Sequence, residues 1–378
     1  MTQPVLTFNT GSSSLKFGLY QVGGGEPEAL VSGEIETMGD GQCRLRVSDA
    51  AGASLIDETT VMSDPSQGVS RLAAVFEHAK APAPAAIGHR IVHGGPTLHR
   101  HCLIDDAVLH TLDAAVDFAP LHLPPALAVV RYALQHFPGL PQVACLDTAF
   151  HADMPETAST LPLPAELRRA GIQRYGFHGL SCESIVQQLG SDLPDRLVIA
   201  HLGNGASITA VKAGRSIDTS MGLTPSGGVI MGTRTGDIDP GVLLYLMRVK
   251  HLDAAALEDI IDHRSGLLGL SGLSGDMRQL DASTVPGARL ALEMFRVSVA
   301  KQVAGMAVAL GGIDRLVFTG GIGENDAGTR AGVCARLACM GEIAVEVLPS
   351  QEDDEISRHT AKLCAATTGS GSAETGRA

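Results

Sequence analysis

The sequence contains no tryptophan, and aromatic residues make up only 3% of its 378 residues. Lectins and proteins that stack on nucleic-acid bases depend on exposed aromatic rings, so this composition argues against both classes. Basic residues are also few. The 28 lysines and arginines are outnumbered by 41 aspartates and glutamates, which leaves a net charge of −13. A surface of this charge repels nucleic acids and anionic lipids, so we expect neither a nucleic-acid nor a membrane partner.

The sequence also lacks an apolar run that could cross a membrane. The longest candidate, residues 290–310, is interrupted by Glu293, Arg296, Lys301 and Gln302. The first twenty residues include Asn9 and Lys16 and lack the apolar core of a signal peptide. The seven cysteines are odd in number and have no CxxC spacing, which is typical of reduced thiols. We therefore expect a cytoplasmic protein.

Glycine is in excess, with 44 residues. Because there is no collagen-like repeat, these glycines must lie in loops where the backbone closely approaches another backbone or a ligand. Apolar segments 5–8 and 15–20 flank a Gly/Ser turn, and the same pattern recurs at 197–202 and 208–211. Each pair predicts a β-hairpin. Because the chain is long enough for two domains, the recurrence near its middle indicates a duplicated α/β fold.

Four loops of small residues are candidates for phosphate binding, namely residues 9–14, 203–207, 227–228 with 231–233, and 320–325. Backbone N–H groups and hydroxyls in such loops can line a polyphosphate, and glycine allows close approach. None of the loops fits the P-loop or the Rossmann fingerprint, so the sequence argues against both classes. Lys16 could reach phosphate oxygens from the first hairpin, although an exposed strand lysine is the alternative.

Two arginines and one aspartate stand out by their position. Arg90 and Arg234 each lie between glycines, where a guanidinium group is suited to bidentate capture of a carboxylate or phosphate. The alternative is a surface arginine paired with a nearby acid such as Asp237. Asp147 follows an apolar strand, where active-site acids often lie in open α/β sheets. Three histidines lie in proline- or glycine-rich segments, namely His122, His178 and His201. For each of them a structural role and a functional role are alternatives.

Longer motifs resemble the signatures of the acetate kinase family, in the same order along the chain. They are residues 8–16 (FNTGSSSLK), 88–95 (GHRIVHGG), 147–151 (DTAFH), 175–179 (YGFHG), 201–205 (HLGNG), 221–225 (MGLTP), 231–237 (MGTRTGD) and 320–325 (GGIGEN). The resemblance extends from about residue 5 to about residue 360 and covers nearly the whole chain. It implies the fold of the actin-like, sugar-kinase and Hsp70 superfamily: an α/β protein of duplicated actin-like ATPase (ribonuclease H-like) domains with a cleft between them.

The expected domains follow from the resemblance. An N-terminal domain with the acyl site and a phosphate loop would cover residues 1–147, and a C-terminal nucleotide-binding domain would cover 148–350. Residues 351–366 would return to the first domain. The polar composition of residues 367–378 predicts a disordered tail. The resemblance also implies a homodimer.

The resemblance implies acetate kinase activity, the reversible transfer of the γ-phosphoryl group of ATP to acetate to give acetyl phosphate and ADP. It assigns catalytic roles to Arg90, Asp147, His178 and Arg234. Acyl binding falls to Arg90, Val92, Leu121, His122, Phe177 and Pro225. Nucleotide binding falls to Ser12, Ser14, Lys16, His201, Leu202, Gly203, Asn204, Gly205, Asp276, Met277, Arg278, Gly321, Ile322, Gly323, Glu324 and Asn325. Asn9 and Glu352 would bind Mg²⁺, for which Mn²⁺ is the alternative.

Elementary chemistry narrows the role of Asp147. Phosphoryl transfer builds charge on three equatorial oxygens, which a metal ion and the cationic side chains would neutralise. The nucleophile is a carboxylate with a pKa near ~4.3, so it is already ionised at neutral pH and needs no general base. We therefore expect Asp147 to organise Mg²⁺ or water rather than to accept a proton.

The chain departs from the family pattern at four places. The family usually has Asn at Leu123, His at Cys182, Leu-Glu-Gly at residues 226–228 and Glu-Glu at Glu352-Asp353. The first three departures lie near the proposed acyl site, so propionate and butyrate remain alternatives to acetate.

Two further classes stay open. A non-catalytic nucleotide-binding relative would be expected to lack Arg90, Arg234 or Asp147, and all three are present. A sugar kinase would need a base for a hydroxyl, which Asp147 could supply. The small apolar pocket implied by Val92, Phe177 and Pro225 argues against a polyol substrate.

Overall fold

The two hairpins predicted from the glycine-rich turns both form. In the computed structural model, which describes residues 2–11, 14–39, 41–62 and 64–370, each hairpin is antiparallel and belongs to a different sheet. The apolar side chains of β2 are buried, Leu15, Phe17 and Leu19 among them, while the side chain of Lys16 is exposed. The expected duplication of an α/β unit is thus confirmed at the level of its first two strands.

The strands, in chain order, are β1 (Gln3–Thr10), β2 (Ser14–Val22), β3 (Glu28–Gly39), β4 (Gln42–Asp49), β5 (Ser54–Val61), β6 (Ala86–Ile91), β7 (Cys102–Leu103), β8 (Gln142–Leu146), β9 (Arg196–Leu202), β10 (Ala206–Lys212), β11 (Arg215–Thr219), β12 (Arg315–Thr319) and β13 (Ala344–Val347).

The α-helices are α1 (Leu72–His78), α2 (Asp106–Ala114), α3 (Leu123–His136), α4 (Glu156–Ser159), α5 (Ala165–Arg169), α6 (Gly179–Leu189), α7 (Pro240–Lys250), α8 (Ala254–Glu258), α9 (Gly266–Ser271), α10 (Met277–Asp281), α11 (Pro286–Leu310), α12 (Gly320–Asn325), α13 (Ala327–Leu337) and α14 (Glu352–Ser370). A π-helical turn, Asp259–His263, follows α8 directly.

The first unit comprises the described residues up to Ala149 and from Gln351 onward. Its sheet has the strand order β5-β4-β3-β2-β1-β6-β8-β7, in which β1, β6 and β8 are parallel. Helix α14 packs on β1, β2, β6 and β8. A Cβ atom on Gly88 of β6 would lie 2.2 Å from the Thr360 hydroxyl and 2.6 Å from Ile356, so this close packing requires glycine. The C-terminal helix therefore belongs to the same core as the N-terminal strands.

The second unit comprises residues Phe150–Ser350. Its sheet has the order β11-β10-β9-β12-β13, with β12 parallel to both β9 and β13. Helix α11 packs against β9, β10 and β11, and its buried face includes Phe295, Val299 and Val303. Because β9 and β12 are parallel neighbours, the segments that follow them leave the sheet at the same end; they are the turn 203–205 and helix α12, where a loop was predicted.

The C-terminal end differs from the expectation. Helix α14 continues through Ser370, so residues 367–370 are helical where composition predicted a disordered tail. The remainder of the predicted tail, residues 371–378, lies outside the described residues. Across the part of the chain that is described, no helix combines the length and the apolar character needed to span a membrane.

Candidate active site

Arg90 and Asp147 are brought together by the parallel pairing of β6 and β8. Arg90 is near the end of β6, and Asp147 directly follows β8. The Asp147 N–H also donates to the Ile91 carbonyl at 2.9 Å, which extends the pairing. The Arg90 guanidinium donates from Nε at 3.0 Å and from Nη2 at 2.5 Å, in both cases to Asp147 Oδ2. The side chain of Asp147 is 1% exposed and that of Arg90 is 16% exposed, so this ion pair is largely shielded from water.

The same guanidinium extends the contact to β1 and α14. Arg90 Nη1 donates to Asn9 Oδ1 at 3.1 Å, and Asn9 Nδ2 donates to Glu352 Oε2 at 3.0 Å. These two bonds fix which way the Asn9 amide faces, because its oxygen accepts and its nitrogen donates. The four residues Asp147, Arg90, Asn9 and Glu352 therefore form one hydrogen-bonded row at the edge of the first sheet.

Electrostatics in this row favour a cation. Burial acts against the charge of Arg90, but the carboxylates of Asp147 and Glu352 outweigh it and raise the pKa of Arg90. Burial and the neighbouring Glu352 raise the pKa of Asp353 to about 6. Asp353 Oδ1 is buried without a hydrogen-bond partner among the described residues. Two adjacent carboxylates are donors that Mg²⁺ prefers, so Glu352 and Asp353 fit a magnesium site. Asn9, the other predicted ligand, directs its oxygen at Arg90 and its nitrogen at Glu352, so in this arrangement it orients Glu352.

The other predicted residues of the first unit lie nearby along the chain. Val92, just after β6, is buried, while Leu121 and His122 are half-buried just before α3. Ser14 begins β2, and Lys16, opposite Asn9 in the hairpin register, is exposed. Ser12 lies outside the described residues.

In the second unit, His178 and His201 stack face to face. Their ring centroids are 4.1 Å apart and their planes differ by 19°. His178 adopts a left-handed conformation, with φ of 57°, immediately before α6. A hydrogen bond joins His178 Nδ1 to the Ser207 hydroxyl at 3.0 Å, and another joins His201 Nδ1 to the Ser181 hydroxyl at 2.8 Å. Each ring is therefore fixed in orientation by a buried serine: Ser207 closes one of the predicted phosphate loops, and Ser181 was not singled out from the sequence.

Gly205 marks the place where His178 and Arg234 converge. A Cβ atom on Gly205 would lie 3.3 Å from His178 Nε2 and 3.5 Å from Arg234 Nη1. The Arg234 Nη1 also donates to the Pro225 carbonyl at 3.1 Å. Pro225 and Phe177, two predicted acyl-site residues, are both buried. An imidazole and a guanidinium directed at the same glycine can neutralise one small anionic group.

A cavity of about 670 Å³ lies beside this point, within the second unit. It is lined by Gly203, Asn204, Gly275, Asp276, Met277, Arg278, Asp281, Gly321, Ile322, Asn325, Asp326 and Ala327. Eight of these residues were predicted to bind nucleotide, and the volume suits a nucleotide-sized ligand. Gly275, Asp281, Asp326 and Ala327 were not predicted, although Gly275 and Asp326 directly adjoin predicted residues in sequence.

Glu324 braces the glycine loop from within. Its Oε1 accepts hydrogen bonds from the backbone N–H of Gly320 at 3.0 Å and of Ser350 at 2.9 Å. The Arg330 guanidinium donates to the carbonyls of Gly323 and Glu324, both at 2.8 Å. These contacts hold α12, so that Gly321 and Ile322 line the cavity in a fixed position.

The sequence and the structure were both compared with those of known proteins, and both comparisons indicate one family. A model of the acetokinase family matches residues 4–367. The acetate kinase of Nitrobacter hamburgensis is 40% identical over 95% of this chain and 96% of its own length. Among solved structures, Porphyromonas gingivalis acetate kinase is similar with a TM-score of 0.84 at 34% identity, covering 96% of this chain and all of that one. A propionate kinase from Francisella tularensis has a TM-score of 0.88 at 34% identity, with the same coverage.

Proposed function

Since the chain belongs to the acetokinase family, we propose that it transfers the γ-phosphoryl group of ATP reversibly to acetate, giving acetyl phosphate and ADP. The observation that carries this proposal is the row formed by Asp147, Arg90, Asn9 and Glu352. It combines a shielded cation for a carboxylate substrate with oxygen donors for a metal ion. The presence of Arg90, Asp147 and Arg234 together favours a catalyst over a non-catalytic relative.

Arg90 binds the acetate carboxylate. A buried guanidinium exerts a strong field in a medium of low dielectric constant, and its planar fork matches a carboxylate. Val92 follows two residues later and is buried, which provides an apolar neighbour for a short alkyl group. Acetate arrives already ionised, so no residue needs to remove a proton from it.

Asp147 holds Arg90 in place. Its Oδ2 accepts two of the guanidinium hydrogen bonds, which fixes the plane of the fork and balances its charge. A carboxylate occupied in this way is an orienting group rather than a base. This role keeps the expectation that Asp147 is not a proton acceptor, but it replaces the expected partner, Mg²⁺ or water, with Arg90.

The residues Glu352 and Asp353 would hold Mg²⁺, with Mn²⁺ as an alternative, and Asn9 would orient Glu352. When bound, the ion neutralises charge on the transferring phosphate. The buried, unpartnered Oδ1 of Asp353 supports this assignment, because a buried carboxylate oxygen is costly unless a cation or donor compensates it.

The second unit binds ATP. The cavity of about 670 Å³ holds the nucleotide, and the backbone N–H group of Gly321 contacts its phosphates. The Gly203 N–H donates to the Gly205 carbonyl at 2.9 Å and shapes the loop beside the cavity. His178 and Arg234 stabilise the charge that develops on the phosphoryl group, because both approach the same position at Gly205. ATP and acetyl phosphate are intracellular metabolites, and we place the activity in the cytoplasm.

The protein acts as a homodimer. Helix α7 has an apolar sequence, yet none of its residues is buried. Leu244, Tyr245, Met247 and Val249 are all about half exposed. Contiguous apolar surface of this kind marks a protein interface, and a second copy of the chain is the partner that the family suggests.

A hydroxamate assay tests the function. With ATP and Mg²⁺, we expect acyl phosphate formation from acetate, and Arg90→Ala should reduce it about 10²–10³-fold. Arg131→Ala is the matched control, because Arg131 makes an exposed ion pair with Asp113.

Propionate and butyrate belong in the same assay, since the Francisella propionate kinase is a close structural neighbour. A higher kcat/KM for propionate than for acetate would make the protein a propionate kinase rather than an acetate kinase. Absence of acyl phosphate with all three acids would refute the proposal.

A further inference from the structure

The backbone that carries Arg234 is held by the chain segment 261–268. Thr235 N–H donates to the Ile261 carbonyl at 3.0 Å, and Ser265 N–H donates to the Thr233 carbonyl at 2.9 Å. Further along, Leu267 and Leu268 donate to the carbonyls of Met231 and Gly232 at 2.9 and 3.0 Å. The main chain on both sides of Arg234 is thus fixed, which leaves its long side chain as the variable element.

Asp262 lies at the centre of this support. It belongs to the π-helical turn Asp259–His263 and is only 8% exposed. Its backbone carbonyl accepts a hydrogen bond from the Thr233 hydroxyl at 2.7 Å. A π-helical turn shifts the backbone register by one residue, and such turns are frequent at functional sites. Here it leaves the Asp262 carbonyl available to the residue directly before Arg234.

The side chain of Asp262 reaches the other end of the Arg234 side chain. Its Oδ1 accepts a hydrogen bond from the Ser226 hydroxyl at 2.5 Å. Ser226 directly follows Pro225, whose carbonyl accepts from Arg234 Nη1 at 3.1 Å. The contacts therefore close a ring that starts at the Asp262 carboxylate, passes through residues 226, 225, 234 and 233, and returns to the Asp262 carbonyl.

We propose that Asp262 and Ser226 are positioning residues that fix the guanidinium of Arg234 for phosphoryl transfer. This inference depends on the role proposed for Arg234 in the transfer. Asp262 holds the backbone next to Arg234 and, through Ser226, the carbonyl that receives its guanidinium.

The geometry explains why the ring would affect the rate more than nucleotide affinity. An arginine side chain has several rotatable bonds, and its charge stabilises a transition state only if it is at the right distance. Without the Ser226 hydroxyl, the Pro225 carbonyl loses its tether and the guanidinium gains freedom. Residues that line the nucleotide cavity from α10 and α12, such as Arg278 and Ile322, are outside the ring, so we expect nucleotide affinity to change little.

The test is a kinetic comparison of single and double variants of the full-length protein with ATP, Mg²⁺ and acetate. We expect Ser226→Ala to lower kcat about tenfold and to change the KM for ATP less than about twofold. Ser226→Thr retains the hydroxyl and should keep at least half of the rate. Asp262→Asn retains an acceptor for that hydroxyl and should lose less than Asp262→Ala. The decisive comparison is Ser226→Ala in an Arg234→Ala background, where it should have no further effect on kcat.

Ser298→Ala is the matched control. The Ser298 hydroxyl accepts a hydrogen bond from Ile230 N–H at 3.1 Å, so it holds the same loop from outside the ring. It should leave kcat unchanged. The inference is overturned if Ser226→Ala leaves kcat unchanged, or if its tenfold loss persists in the Arg234→Ala background, as a general structural role would produce. An inactive wild-type protein would instead refute the proposed function, and this inference with it.

Discussion

Arg90 directs two of its N–H groups to the same oxygen of Asp147, Oδ2, at 3.0 and 2.5 Å. The pair lies at the ends of two adjacent parallel strands and is almost wholly shielded from solvent. Because Asp147 accepts from Nε and Nη2, the orientation of the Arg90 guanidinium plane toward its substrate is fixed. The aspartate acts as an orienting group.

The substitution Asp147→Asn tests this relationship. The amide keeps the shape but removes the charge that balances Arg90, so we expect activity to fall about 10²-fold and the Mg²⁺ requirement to rise. The acidic limb of the pH–rate profile should stay in place, because the carboxylate does not carry a proton in the reaction. Steady-state rates between pH 5 and 9 would measure the activity and the acidic limb, and a Mg²⁺ titration at pH 7 would measure the metal requirement.

The exposed pair of Arg131 and Asp113 provides the control for that variant. Asp113→Asn makes the same chemical change at a surface ion pair and should leave activity unaltered. If Asp147→Asn abolished the acidic limb but left the Mg²⁺ dependence as it was, a proton-transfer role would replace the supporting one.

Removal of the Glu352 charge should weaken metal binding. Glu352→Gln keeps the hydrogen-bonding partner of Asn9 but reduces the negative charge beside Asp353. We expect the Mg²⁺ concentration for half-maximal activity to rise about tenfold or more. Glu34→Gln, on the surface of the same sheet, should leave it unchanged. An unaltered metal titration for Glu352→Gln would exclude this residue from the site.

A methyl group on Gly205 should disturb the site without unfolding the protein. In Gly205→Ala the new Cβ would sit 3.3 Å from His178 Nε2 and 3.5 Å from Arg234 Nη1, so one of these groups must move slightly. We expect kcat to fall about tenfold with little change in Tm. Gly305→Ala, with open space at its Cβ in the middle of α11, should keep kcat and slightly raise Tm. Equal rates for both variants would argue against convergence at Gly205.

The pH dependence of stability should show the titration of the buried His151. Its ring nitrogens are hydrogen-bonded to the Ser216 hydroxyl and the Phe177 carbonyl, and burial lowers its pKa to about 4. The unfolded chain, with a histidine pKa near 6.5, binds more protons between pH 6.5 and 4, so stability is present above this window and is lost as the pH falls through it. By pH 5 the titration of His151 should have lowered the free energy of unfolding by about 2 kcal/mol.

Denaturant unfolding at pH 7 and pH 5 would measure this effect. In His151→Gln the loss between the two pH values should be smaller than in the wild type by that amount. His89, whose pKa burial also lowers to about 4, continues to contribute in both proteins. Identical losses in the two proteins would show that His151 does not titrate as proposed.

The exposed face of α7 predicts the oligomeric state. Leu244→Glu places a charge in the centre of the apolar surface and should convert a dimer to a monomer, as measured by sedimentation velocity. Val308→Glu, at another exposed apolar position, should leave the dimer intact. A wild-type monomer, or a Leu244→Glu dimer, would remove α7 from the interface.

Local sequence patterns predicted the hairpins and the strand-end residues, but they could not predict which of these elements contact one another. The hairpins were predictable because in each case two short apolar segments flank a turn of small residues. Arg90 and Asp147 could each be singled out from the ends of apolar strands, but their pairing depends on β6 and β8 being neighbours. Sequence spacing carries no information about that order, so the contact itself could not be predicted.

The supporting residues were harder to find for a related reason. Ser181 and Ser207 hold the two stacked histidines, yet a buried serine has no distinctive pattern in a sequence. Helix α8 ends at Glu258, and the π-helical turn Asp259–His263 follows it directly. One inserted residue in a helix leaves the apolar period almost unchanged, so Asp262 could not be recognised in advance.

The packing of α14 on β1 and β6 also governs the order of events during synthesis. Strands made among the first ninety residues cannot complete their core until residues 352–370 have left the ribosome. The second unit consists of one continuous segment, so it can fold before α14, which the first unit needs, has been synthesised. In the nascent protein, the half translated earliest is therefore the last to become native. Its unfinished sheet, with the α14 face uncovered, is the surface that a chaperone would have to protect in the meantime.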